Sequence, residues 1–188
     1  MDRTVRRRLL RGLAKSALIT AFVVAAYCLV PLDELAGVPV PVVLVVGLAC
    51  LGTVATLEVN AILRATYPNI RAFQALATVA PLFLLLFAAT YYVLDAALPG
   101  EFVGGQLSRL DAFYFTVTVF GTVGFGDISA AGDASRMTVS IQILLDLVIL
   151  GAGLKLFFEA AKLARRRQGL DETPVLEVVT QQPPPPEP

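Results

Sequence analysis

The chain contains no histidine, so the commonest general base and metal ligand is missing. No nucleophile–base pair or metal-ligand spacing takes its place, and an enzyme is not expected. There are two cysteines. Cys28 and Cys50 both fall inside apolar runs, at a spacing that suggests neither a metal site nor a disulfide framework. Charged residues make up only 16% of the 188 positions. No internal repeat is evident. No apolar run carries a basic residue at every third position, so a voltage-sensing helix is not expected. No small-x-small cleavage site follows Leu32 and the first apolar run is long for a signal core, so removal of a leader is not expected. The short C-terminal stretch is polar and proline-rich, so a folded ligand-binding domain is not expected in it.

What is abundant is apolar sequence, at 56% of residues with a mean hydropathy of +0.73. The length fits one domain. Four runs, Ser16–Leu32, Val38–Leu57, Phe73–Leu94 and Met137–Phe158, approach or exceed the roughly 20 residues that cross a bilayer. A soluble fold would have to bury all four with little polar face to spare. Four membrane spans are expected instead.

Formal charge sums to zero, but its layout is uneven. Arg3, Arg6, Arg7, Arg8, Arg11 and Lys15 precede the first run, against Asp2. Arg64 and Arg71 lie between the second and third runs, while Lys162, Arg165, Arg166 and Arg167 follow the fourth. The other two connections are acidic, with Asp33 and Glu34 in one and Asp95, Glu101, Asp111, Asp127 and Asp133 in the other. Because basic loops stay cytoplasmic, both termini are expected inside the cell and the connection from Asp95 to Asp133 outside. The basic segments also suit anionic lipid, and beside membrane spans they are not read as a nucleic-acid site. Residues 1–15 then form a basic N-terminus, 16–66 a pair of N-terminal spans, 73–162 a second helical unit, and 163–188 a disordered cytoplasmic tail ending in a proline run. Pro81 is expected to kink the third span.

The outer connection between the third and fourth runs has structure of its own. Ser108-Arg109-Leu110-Asp111 has the pattern of a capping box that starts a helix. The apolar and aromatic stretch that follows, Asp111 to Phe120, is too short to span. A half-spanning helix followed by irregular backbone is a re-entrant loop, tolerated only where protein or a water path covers it. Such a helix entering from outside aims its negative end at the membrane centre, which favours a cation. The chain returns through Thr122-Val123-Gly124-Phe125-Gly126-Asp127. Gly124 and Gly126 tolerate backbone conformations closed to other residues, and alternation with side-chain-bearing residues allows carbonyls to face one axis. Four such strands would replace the hydration shell of a potassium ion. One copy per chain implies a homotetramer.

Asp111 to Asp127 resembles the pore helix and selectivity filter of the potassium-channel family. The usual Thr-Val-Gly-Tyr-Gly-Asp stands here as Thr-Val-Gly-Phe-Gly-Asp. The resemblance covers about Phe73 to Phe158 and is similar to small prokaryotic channels with two added N-terminal helices. It implies an all-α membrane protein of four transmembrane helices, with a re-entrant pore helix and filter between the third and fourth. It further implies potassium held at Thr122, Val123, Gly124 and Phe125, a filter completed by Gly126, and support from Asp127, Tyr114 and Phe115. No cofactor is implied beyond the permeant ion. Phe125 lacks the usual tyrosine hydroxyl, and Gly121 and Val119 stand where threonines are common, so a less rigid filter prone to inactivation is expected.

Within the fourth run, Gln142, Asp146, Gly153 and Phe157 share a face at helical spacing. If that face lines the pore, Asp146 and Gln142 ring the cavity, and four carboxylates concentrate potassium and bind internal magnesium or polyamines. The other reading is an acid that is protonated or bonded to a neighbouring helix. Gly151 and Gly153 either form a gating hinge or allow close packing. Glu58 and Asn60 reach Arg64 or the membrane interface. The functional expectation is a potassium channel in a prokaryotic plasma membrane, the alternatives being a non-selective cation channel or a non-conducting regulatory or structural subunit.

Overall fold

The computed structural model describes residues 18–29, 32, 37–65 and 68–167. They are mostly helical. Helix α1 covers Leu18–Leu29. It is followed by α2 (Val40–Leu63), α3 (Pro68–Ala97), strand β1 (Phe102–Val103), α4 (Arg109–Phe120), β2 (Ser129–Ala130) and α5 (Asp133–Arg167). Val40–Leu63, Arg71–Ala97 and Asp133–Lys155 are long and apolar enough to cross a membrane, at the places expected for the second, third and fourth spans. Of the first expected span, Leu18–Leu29 is a shorter apolar helix, and residues 16, 17, 30 and 31 lie outside the described residues. The basic stretch 1–15 and the proline run lie outside them too. Helix α5 continues to Arg167, so residues 163–167, expected in the tail, are helical.

Prolines are placed where helices tolerate them or are made to. Pro41 sits in the first turn of α2, where its missing N–H has no partner to lose. Pro81 lies inside α3, which runs through it as one helix, although the Ala77 carbonyl cannot receive its usual donor there.

Helix α3 is the centre of the fold and packs on α2, α4 and α5. Phe83, Phe87 and Tyr91 recur at helical spacing along one face and are fully buried. Their rings form a ladder, with centroids 4.8 Å and 6.1 Å apart. Phe102 and Phe115 extend it, edge-on to Tyr91 at 5.7 Å and 5.1 Å. Lipid is as apolar as these side chains, so close packing rather than exclusion of water holds the helices together. Gly47 shows the same principle in α2, since a Cβ there would overlap Leu86 of α3. Near the other end of this helix pair, Glu58 bonds Arg71 at 2.7 Å, not Arg64.

The outer connection is stapled at both ends. Strand β1 pairs antiparallel with β2, Phe102 opposite Ala130 and Val103 opposite Ser129. The Glu101 carboxylate accepts the Ser135 amide at 2.8 Å, and its carbonyl accepts the Ser135 hydroxyl at 2.7 Å. The same carbonyl takes the amides of Ala131 and Gly132 at 2.8 and 3.1 Å. A carboxylate at the first turn of α5 also meets the positive end of that helix. Gly132 has no room for a Cβ because the Glu101 carboxyl occupies the space. Glu101→Ala is therefore expected to cost about 1 kcal/mol, as loss of an N-terminal cap does, read as a lower unfolding midpoint in detergent. An unchanged midpoint would contradict the staple.

Candidate functional site

Helix α4 starts where the sequence pattern places it. The Ser108 hydroxyl accepts the Asp111 amide at 3.1 Å and the Asp111 carboxylate accepts the Ser108 amide at 2.9 Å, a reciprocal box. The hydroxyl also donates to that carboxylate at 2.6 Å. These bonds, the Ser108 hydroxyl first and its amide second, hold the Asp111 carboxyl below its ordinary pKa. One residue earlier, the Leu107 amide donates to the buried Asp95 carboxylate at 2.7 Å, which fixes the approach to the cap. Asp95 is a support the sequence reading passed over; its only signal was an acid at the end of an apolar run. At 12 residues, α4 is about 18 Å long at 1.5 Å per residue, well short of a hydrocarbon core of roughly 30 Å.

One side of α4 (Ala112, Phe115, Thr116 and Thr118) is buried. Phe115 belongs to the aromatic ladder, 5.5 Å from Phe102 and edge-on, so its ring supports α4 from the core. Tyr114 does approach the loop. Its hydroxyl donates to Asp127 at 2.8 Å, and its ring lies parallel to that of Phe125 with centroids 6.4 Å apart. The bond to Asp127 raises the pKa of the Tyr114 hydroxyl. Phe125 thus has a ring partner within its own chain even though it lacks a hydroxyl.

The returning backbone is tied to the end of α4 through its amides. Gly121 donates to Val117 at 2.8 Å, Thr122 to Val119 at 2.9 Å, and Val123 and Gly124 both to Thr118, at 2.9 and 3.3 Å. Every peptide here is trans, and in a planar trans peptide the C=O points opposite to the N–H. With the amides of Val123 and Gly124 directed at α4, the carbonyls of Thr122 and Val123 point away from it.

The φ angles alternate in sign. Thr122 is at +55°, Gly124 at +53° and Gly126 at +82°, while Val123 and Phe125 stay in the ordinary negative range. Glycine adopts positive φ without penalty, whereas a β-branched residue there is a genuine outlier. Thr122 is the one non-glycine residue with positive φ among the described residues. Sequence reasoning assigned special conformations to the glycines and missed Thr122, whose signal was its place two residues before Gly124. Val123 and Phe125 present 55% and 69% of their surface, so this side of the loop is uncovered in the single chain. Gly121 has φ −73° and needs no glycine for its conformation, although a Cβ would come within 3.1 Å of the Val117 carbonyl.

The cavity expectation for Gln142 and Asp146 is not met. Their side chains turn into the protomer, with exposures of 0% and 3%, and further chains can only add burial. The Tyr91 hydroxyl donates to Gln142 at 2.6 Å. The Gln142 amide group donates to the Thr116 carbonyl at 3.2 Å and to Asp146 at 3.4 Å. Three helices therefore meet in one polar cluster behind α4. The Asp146 Oδ1 atom is buried without a hydrogen-bond partner. Gln142 and Asp146 lie one helical turn apart on a face of α5 that meets α3 and α4. Many exposed residues of α5 are apolar, among them Ile143, Leu144, Leu147, Val148 and Leu154, while Asp133, Arg136, Ser140 and Lys155 are exposed too. Gly153 lies 3.4 Å, by a built Cβ, from Leu76 of α3, while Gly151 has open space; α5 is unbroken at both. The side chain of Phe157 lies outside the described residues.

Two expectations follow. Asp111 titrates lower in the folded chain than in the unfolded one, so its contribution is present above the ordinary carboxylate range. It is lost as pH falls through the lowered value. Ser108→Ala should reduce this acid sensitivity, the Ser108 amide bond remaining, and cost about 1 kcal/mol, checked by unfolding across acid pH. Gln142→Leu removes the acceptor of the Tyr91 hydroxyl and a donor to Asp146, an expected cost of about 1–3 kcal/mol. A Gln142→Leu chain as stable as wild type would contradict the buried cluster.

Comparison with known proteins points the same way. Residues 79–162 match a family model described as "Ion channel". A 50-residue stretch is 44% identical to "Potassium channel subfamily T member 1" of Mus musculus, and equally to the Rattus norvegicus protein of that name. The stretch is 27% of this chain and 4% of each relative, so the chain matches a small part of those proteins. No solved structure matches. The segment from 79 to 162 is thus similar to an ion-channel domain, and among the described residues three helices are long and apolar enough to cross a membrane.

Proposed function

We propose that four copies of this chain form a potassium-selective channel, with the Thr122–Gly126 strands lining its axis and potassium held by the Thr122, Val123, Gly124 and Phe125 carbonyls. One observation carries the reading: φ is positive at Thr122, Gly124 and Gly126 and negative between them. Alternating handedness sets successive peptide planes so that carbonyls face one side. Strain at a β-branched residue persists only where surrounding structure imposes it. Carbonyl rings of this kind replace a potassium hydration shell.

Each chain has one such loop, so closure of a pore needs four. The uncovered surfaces of Val123, Phe125 and the apolar residues of α5 suit contact with neighbouring copies. In this reading the pore lies in the plasma membrane with both termini inside, and the basic flanks meet anionic lipid. Block by internal magnesium or polyamines at an Asp146 ring is no part of it, because that side chain is buried within the protomer.

The test is the reversal potential of the purified protein in a planar bilayer with opposed potassium and sodium gradients. The reading requires reversal near the potassium equilibrium potential. Reversal near zero would make the pore non-selective, and no current from a verified tetramer would make the chain a non-conducting subunit. Gly124→Ala places an L-residue at +53°, a conformation costing about 1–2 kcal/mol. It should abolish discrimination between the two ions while the protein still assembles.

A further inference from the structure

The role of α1 is set by a contact far from it in sequence. Arg109 is the first residue of α4, and a positive charge at a helix N-terminus opposes the helix dipole. Its guanidinium is directed elsewhere. Nη1 donates to the carbonyls of Tyr27 and Cys28 in α1, at 2.9 and 2.8 Å. The guanidinium carbon also lies 5.5 Å from the centre of the Tyr92 ring of α3, within cation–π range. The contact is reciprocal, because the Tyr27 hydroxyl donates to the Arg109 carbonyl at 2.6 Å.

The sequence explains why α1 needs this donor. The helical partner of the Tyr27 carbonyl would be the amide four residues on, at position 31, and Pro31 has no N–H. A carbonyl in apolar surroundings without a donor costs several kcal/mol. Arg109 supplies the donor, and it does so from the first turn of the helix that carries the filter. The charge that disfavours the start of α4 is placed on two backbone carbonyls in the last described turn of α1.

We infer that α1 is a bracket on the pore helix, with Arg109 and Tyr27 as positioning residues that hold the outer end of α4 and, through it, the filter. The inference rests on the channel reading proposed above. Helix α4 is fixed at its inner end by Gln142 on the Thr116 carbonyl and at its outer end by the Ser108 cap and this bracket. The Thr118 carbonyl that receives the Val123 and Gly124 amides moves with α4. Loosening the outer end should therefore disturb the filter without removing any residue that touches an ion.

The test uses the full chain reconstituted in bilayers, with Arg109→Gln, Tyr27→Phe and the double variant. The readouts are the rate of current decay at low external potassium and the potassium-to-sodium permeability ratio, alongside the amount of tetramer. With tetramer yield near wild type, Arg109→Gln should speed decay about tenfold, the kinetic equivalent of losing a charge-assisted hydrogen bond. Tyr27→Phe should produce a smaller change in the same direction. The double variant should decay faster than either single variant, because Gln keeps the carbonyl that the Tyr27 hydroxyl bonds and Phe keeps the carbonyl that the position-109 side chain bonds. Decay and selectivity identical to wild type in both single variants would overturn the bracket while leaving the channel reading intact. If Arg109→Gln does not assemble, Tyr27→Phe, which removes one oxygen, decides alone. A wild-type tetramer that carries no current fails the channel reading itself, a result distinct from either outcome for the variants.

Discussion

The arrangement depends on where the amides of residues 121–124 go. All four bond back to the last turns of α4, two of them to the single carbonyl of Thr118. A trans peptide that turns its N–H inward must turn its C=O outward. The carbonyl side of the strand is therefore set by the hydrogen bonding of its opposite side, and the φ signs at Thr122, Gly124 and Gly126 are the backbone's way of satisfying both. Neither a metal-ligating side chain nor a charged residue is needed to present oxygen to a cation.

A strand positioned by a short helix is only as well placed as the helix. Much of the rest of the fold holds α4. The Phe83–Phe87–Tyr91 ladder of α3 and the rings of Phe102 and Phe115 fill the space behind it. The Ser108–Asp111 box and Asp95 define its outer end. The β1–β2 pair and Glu101 tie the segments before and after it to the start of α5. Buried polar groups are expensive inside a membrane protein unless bonded. The Tyr91–Gln142–Thr116 contacts accordingly fix α3, α4 and α5 against one another more specifically than apolar packing alone. Tyr114, from the other side of α4, reaches Asp127 and Phe125 and steadies the outer end of the loop.

Local features were legible in the sequence. The capping box, the half-length of α4, the positions of three long apolar helices and the conformational freedom of Gly124 and Gly126 all follow from rules spanning a few residues. Features that depend on which faces meet were not. Helical spacing puts Gln142 and Asp146 on one face, but spacing carries no information on what that face meets, and the default for a membrane acid pointed to water. Glu58 bonds Arg71 rather than Arg64 because α2 and α3 lie side by side, so a residue beyond the turn is nearer than one within it. Arg109 and Tyr27 are 82 positions apart; the missing amide of Pro31 signals a need for a donor, and nothing local says which. Thr122 illustrates a further limit, since a β-branched residue adopts positive φ only when tertiary bonds impose it.

The central claim is that the carbonyls on the outer side of residues 122–125 are potassium ligands. Isotope-edited infrared spectroscopy, with carbon-13 in the Val123 carbonyl, tests it at the bond itself. The account requires the labelled band to shift when potassium replaces sodium at equal ionic strength, and the shift to disappear in Gly124→Ala. An identical band in both salts would contradict it.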